Sequence, residues 1–91
     1  MIRSFRSKAL ESFWLTGRSA KIRPDLKSRC LRRLDALNEA SKPQDMNIPG
    51  FNFHGLRGTP KRYSVHVNGP WCVTFGWDEN DAVDVDLGQY H

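Results

Sequence analysis

The 91-residue sequence is poor in what marks metal centres, disulfide scaffolds and membrane anchors. It has two cysteines, Cys30 and Cys72, which match no metal-ligand spacing. They fall in helix-like and strand-like segments and read as reduced, buried thiols, a Cys30–Cys72 bridge being the alternative. No apolar run approaches the roughly 20 residues needed to span a bilayer. The start, Met1-Ile2-Arg3-Ser4-Phe5-Arg6, lacks the apolar stretch of a signal peptide. A cytoplasmic protein with no membrane contact is the expectation. Repeats and low-complexity segments are also missing, and there are only three histidines.

Apolar residues are sufficient for a core. Hydrophobic content is 38%, with five Phe, three Trp and two Tyr, which argues against disorder. The length suits one domain spanning residues 1–91. The net charge of +4 conceals an asymmetry: residues 1–42 carry eleven Lys/Arg against four Asp/Glu, and residues 43–91 carry three against six. Clustered positive charge is the footprint of a protein that meets nucleic acid, although a solvated helical face gives the same count.

Ile2-Arg3-Ser4-Phe5 reads as a short first strand. Residues 7–15 have helical spacing, with Leu10, Phe13 and Trp14 on one stripe and Gly17 as the stop. A second helix fits Pro24 to about Ala40, where Leu26, Cys30, Leu34 and Leu37 share a face. Lys27, Arg29, Arg32 and Arg33 are expected mainly off that face, in solvent. Residues 41–50 form a loop, followed by β structure: Phe51-Asn52-Phe53-His54, then residues 61–67, the Asn68-Gly69 turn, 71–77 and 82–87. This order predicts an α+β, two-layer fold: a short amino-terminal strand, two helices, then an antiparallel meander.

His66 lies within a strand, opposite the face of Tyr63, Val65 and Val67, and reads as structural or solvent-exposed rather than catalytic. His54 ends a strand beside Gly55-Leu56-Arg57-Gly58, with Arg57, Lys61 and Arg62 close in sequence. The chain closes on Gln89-Tyr90-His91, placing a phenol and an imidazole directly after the last strand. If the meander brings this end beside the Gly55–Gly58 loop, His54, Tyr90 and His91 share one site ringed by cations, with no metal required.

Several further pieces run in order along the chain. They are Ile2-Arg3-Ser4-Phe5-Arg6 with Leu10, Phe13, Thr16 and Gly17; Pro43, Asp45 and Met46; Pro49-Gly50; and His54-Gly55-Leu56-Arg57-Gly58. Then follow Tyr63-Ser64-Val65, Val67-Asn68-Gly69-Pro70-Trp71, Thr74, Phe75, Asp81-Ala82, Val85-Asp86 and Tyr90-His91. This collinear set resembles the HigB family of type II toxins, within the RelE-like superfamily of ribosome-dependent messenger-RNA nucleases.

The resemblance implies a RelE-like fold and a prokaryotic toxin that cleaves messenger RNA in the ribosomal A site. It also implies a helix-turn-helix (HigA-like) antitoxin, through which alone operator DNA would be met. The family's catalytic histidine falls on His54 and its terminal Tyr-His pair on Tyr90 and His91; no cofactor is implied. Gln89 stands where many members carry Asp, and Cys72 and Gly76 where they carry Arg. Arg57, Lys61 and Arg62 are the candidate RNA-binding cations. The alternative is a RelE-like module that binds RNA, ribosome or antitoxin without cleavage.

Overall fold

Ser7 opens the first helix by accepting the Leu10 backbone N–H at 3.1 Å, which satisfies one of the donors a helix start leaves unpaired. Helix α1 runs Lys8–Thr16 and ends at Gly17, whose left-handed backbone (φ +76°) lets its N–H reach the Phe13 carbonyl. Helix α2 spans Pro24–Glu39 with proline in its first turn, where a missing N–H costs nothing. Leu26, Cys30, Leu34 and Leu37 are buried along it, as their spacing requires. A 3-10 turn, Pro43–Met46, follows and buries Pro43 and Met46.

The computed structural model describes residues 1–89. Its strands are β1 (His54–Leu56), β2 (Arg62–Asn68), β3 (Trp71–Asp78) and β4 (Asp81–Gln89). They form a sheet in the order β1-β2-β3-β4, with antiparallel neighbours, so helices followed by a meander give the expected α+β architecture. The extended piece expected at residues 51–54 pairs only from His54 onward. Asn52 interrupts it with a positive φ of 48°, which no regular strand accommodates.

The amino-terminal segment lies parallel to β4 through two isolated bridges, Ile2↔Ala82 and Phe5↔Val85. Arg3 N–H donates to the Ala82 carbonyl and Arg6 N–H to the Val85 carbonyl, both at 2.8 Å. A continuous ladder is prevented by an irregularity in β4, where Asp84 adopts φ +50°. There the Asp84 N–H turns to Ser4 Oγ at 2.9 Å instead of to backbone.

Side-chain alternation divides the sheet into two faces. Val65, Val67, Val73, Phe75, Ala82 and Val85 are buried against Leu10, Phe13, Leu26, Leu34 and Leu37, with Tyr63, Trp71, Trp77 and Leu87 packed around them. Fully burying each Val, Leu or Phe of this set contributes about 1.5–3 kcal/mol. Antiparallel pairing His54↔Ser64, Ser64↔Thr74 and Thr74↔Asp86 lines up the opposite face as a polar row across all four strands.

Arg33 departs from the expectation of a solvated charge. It is 7% exposed. Its Nε donates to the His66 carbonyl at 2.9 Å, while Nη1 and Nη2 reach the Arg29 and Gly50 carbonyls at 3.4 Å. The guanidinium stacks 4.3 Å from the Phe51 ring centroid. Positions 30, 33 and 37 share a helix face, so Arg33 enters the boundary between α2 and β2 and spends its donors on backbone. Burial lowers its pKa, helped by the nearby charges of Arg32 and Arg29.

Candidate active site

His54 stands at the first position of β1, exposed, on the polar face. Its Nδ1 lies 3.0 Å from the Asn52 carbonyl oxygen. Nε2 has no hydrogen-bond partner among the described residues. Beside it in the row, Ser64 is fully buried and its Oγ finds no partner among the described residues. Thr74, next in the row, accepts a hydrogen bond from Arg62 at 3.0 Å.

The three cations behave differently. Arg57 is exposed in the connection after β1. Lys61 donates from Nζ to the Leu56 carbonyl at 3.0 Å and lies 5.8 Å from the Tyr63 ring centroid. Arg62 is held across the face, its Nη2 donating to Thr74 Oγ1 and, at 2.9 Å, to the Asp84 carbonyl. It pairs in register with Gly76, and a Cβ built at Gly76 would sit 3.8 Å from Arg62 Nη1. The space beside Gly76 is therefore next to a guanidinium supplied from the neighbouring strand.

Tyr90 and His91 lie outside the described residues. Gln89, the last described, pairs with Trp71, and β2 and β3 separate β4 from β1. His66 is engaged locally: Nε2 lies 2.9 Å from the Gly69 carbonyl, within the β2–β3 turn, while its own backbone ties to Arg33 and Phe51. Both cysteines are free and buried. Burial pushes the Cys30 thiol up to about 11, which suits a side chain that serves as packing.

Charge on the remaining surface is partly internalised. Arg3 bonds Asp78 at 2.6 Å and Asp81 at 2.8 Å, and the amino terminus lies 3.6 Å from Asp81. The hydrogen bond from Arg3 holds the Asp81 carboxyl below its ordinary value. The acidic β3–β4 turn is thus fastened to the chain's start rather than set beside His54. Among the described residues no group of three His, Cys, Asp or Glu converges as a metal site, and no helix is long and apolar enough to cross a membrane.

Sequence reasoning missed Arg33, Asn52 and the Ser64–Thr74–Asp86 row. The row was visible as the polar half of each strand's alternation, and Arg33 as a residue spaced three and four from Cys30 and Leu37. Asn52 gave only its tolerance of positive φ.

Residues 3–91 match the family model described as the RelE-like toxin of the type II toxin–antitoxin system HigB. The chain belongs to that family. A curated relative, Endoribonuclease HigB of Proteus vulgaris, is 28% identical over 92 residues, covering 100% of both chains. HigB-like membership makes this chain a type II toxin with an antitoxin as its partner, and the two helices followed by a meander are its RelE-like fold.

Proposed function

We propose that this HigB-like toxin is a ribosome-dependent endoribonuclease that cleaves messenger RNA in the A site, arresting translation and growth. The observation that carries the reading is His54 itself: an exposed imidazole on the sheet's polar face, with one ring nitrogen tied and the other open. The endoribonuclease relative supports the same chemistry.

RNA cleavage without a metal needs the ribose 2′-hydroxyl deprotonated, the pentavalent phosphate stabilised and the 5′-oxygen protonated as it leaves. Two imidazoles suit the proton transfers, each worth about 10²–10⁴-fold. His54 and His91 take these roles. Tyr90 orients or stacks on the nucleotide. Arg57, Lys61 and Arg62 place positive charge toward the phosphate, where a fixed charge lowers the barrier. The antitoxin is read as HigA-like, a helix-turn-helix protein, and the site of action as the cytoplasm.

Expression without antitoxin, with mapping of transcript ends, tests the reading. Growth arrest with cuts in translated frames, each leaving a 2′,3′-cyclic phosphate, is the expected result, abolished by His54→Ala or by removal of Tyr90-His91. Cuts bearing a free 3′-hydroxyl would refute the mechanism. Arrest that persists in both variants would mean inhibition by binding alone.

A further inference from the structure

The segment before His54 is held from three directions. Arg33 stacks on the Phe51 ring and bonds the Gly50 carbonyl. The Phe51 carbonyl accepts the His66 N–H at 2.6 Å, and the Phe51 N–H donates to the Ile48 carbonyl at 2.9 Å. Immediately beyond this clamp the backbone turns left-handed at Asn52, φ +48°. That turn brings the Asn52 carbonyl oxygen to His54 Nδ1.

A carbonyl oxygen only accepts, so the nitrogen facing it must carry the proton. A neutral imidazole has one N–H, and its other nitrogen then bears the lone pair. His66 makes the opposite choice, because its Nε2 faces the Gly69 carbonyl. The protein thus holds two histidines in opposite tautomers by the same device, a nearby backbone carbonyl. Only the His54 arrangement leaves Nε2, the outermost ring atom, as an acceptor.

We propose that Asn52 is a positioning residue: its left-handed backbone fixes His54 as the Nδ1–H tautomer, so that Nε2 takes the proton from the attacking 2′-hydroxyl. The 2′-oxygen then bonds to phosphorus, the bond from phosphorus to the 5′-oxygen breaks, and that oxygen takes a proton from the second acid–base group, His91. The inference rests on the nuclease reading and adds to it which histidine is the base. Asparagine suits position 52 because it tolerates positive φ far better than a β-branched residue.

The test combines ring-nitrogen NMR of the full-length protein with cleavage on translating ribosomes, for the wild type and for Asn52→Gly, Asn52→Ala and Asn52→Val. Above the ring titration, His54 Nδ1 should show pyrrole-like and Nε2 pyridine-like signals in wild type and Asn52→Gly. His66 should show the reverse pattern in every variant and so reports an intact fold. Cleavage should be retained by Asn52→Gly and fall in the order Ala then Val, by about 10-fold to 100-fold at Val, in parallel with loss of the Nδ1–H form. A wild-type His54 in the Nε2–H form, in a protein that does cleave, overturns this inference alone. So does a loss of cleavage with the His54 tautomer unchanged. Should Asn52→Val not fold, the wild-type spectrum and the Gly–Ala pair decide. Absence of cleavage by the wild type fails the nuclease reading itself.

Discussion

The two faces of the sheet are built from the same strands, yet they carry different burdens. On the face toward the helices, Val65, Val73, Phe75 and Val85 are fully buried and touch other apolar groups. On the opposite face, His54, Ser64, Thr74 and Asp86 line up as polar neighbours across four strands. The first face makes the fold stable, and the second keeps the His54 imidazole exposed, with the Ser64 hydroxyl buried beside it. Alternation with period two lets one strand serve both ends. Substitutions should therefore separate cleanly into those that cost chemistry and those that cost folding.

The largest effect is expected from His54→Ala. Cleavage on translating ribosomes should fall about 10²–10⁴-fold with the melting temperature nearly unchanged, because His54 is exposed and supports only itself. A comparable loss of stability would erase the distinction between faces. Phe75→Ala should do the reverse. It removes a fully buried ring that contacts Tyr63 and Trp77, and denaturant titration should show a loss of about 3–5 kcal/mol.

Arg33→Ala tests the boundary between α2 and β2. It leaves three backbone carbonyls short of a donor and unstacks Phe51, so a loss of about 2–4 kcal/mol is expected by the same titration. Faster amide exchange at residues 50–54 should accompany it. Arg32→Ala, on an exposed side chain 6.0 Å from the same ring and with no backbone carbonyl to satisfy among the described residues, should change both measurements far less.

The smallest effect concerns Asp81. Its carboxyl is held below the ordinary value by Arg3, so the folded state binds a proton there less readily than the unfolded state. Stability from this contact is full above the ordinary aspartate value and is lost as pH falls through the depressed one. Acid titrations of wild type and Asp81→Asn should converge at low pH, and equal slopes throughout would show that the contact contributes nothing.

The parts of this fold legible in sequence are those fixed by neighbours along the chain. Ser7 and Gly17 mark α1 because capping is local, and the 26, 30, 34, 37 spacing marks the buried side of α2 because helix period is local. Asn68-Gly69 similarly marks the β2–β3 turn, with Gly69 at φ +55°. Arg33 was misjudged because its partners lie 17 and 33 residues away, at Gly50 and His66, and periodicity weighs charge as solvent-facing. The first strand shrank to two bridges because an irregularity in β4, unsignalled at Asp84, diverts its pairing. For the site, His54 was marked by its motif, whereas Asn52, Ser64 and Thr74 acquire meaning only through register. The meeting of His54 with Tyr90 and His91 falls beyond the described residues.

The parallel run of Ile2–Arg6 along β4 has a consequence for how this molecule can be gripped. An exposed sheet border is a template onto which another chain can add a strand, and native proteins guard against that. Here part of one border, at Ala82 and Val85, is taken by the chain's first residues through two bridges, and the other carries the three residues of β1. A partner that added a strand along the whole of β4 would have to displace those first residues. Strand addition at that border would therefore compete with contacts the chain already makes with itself.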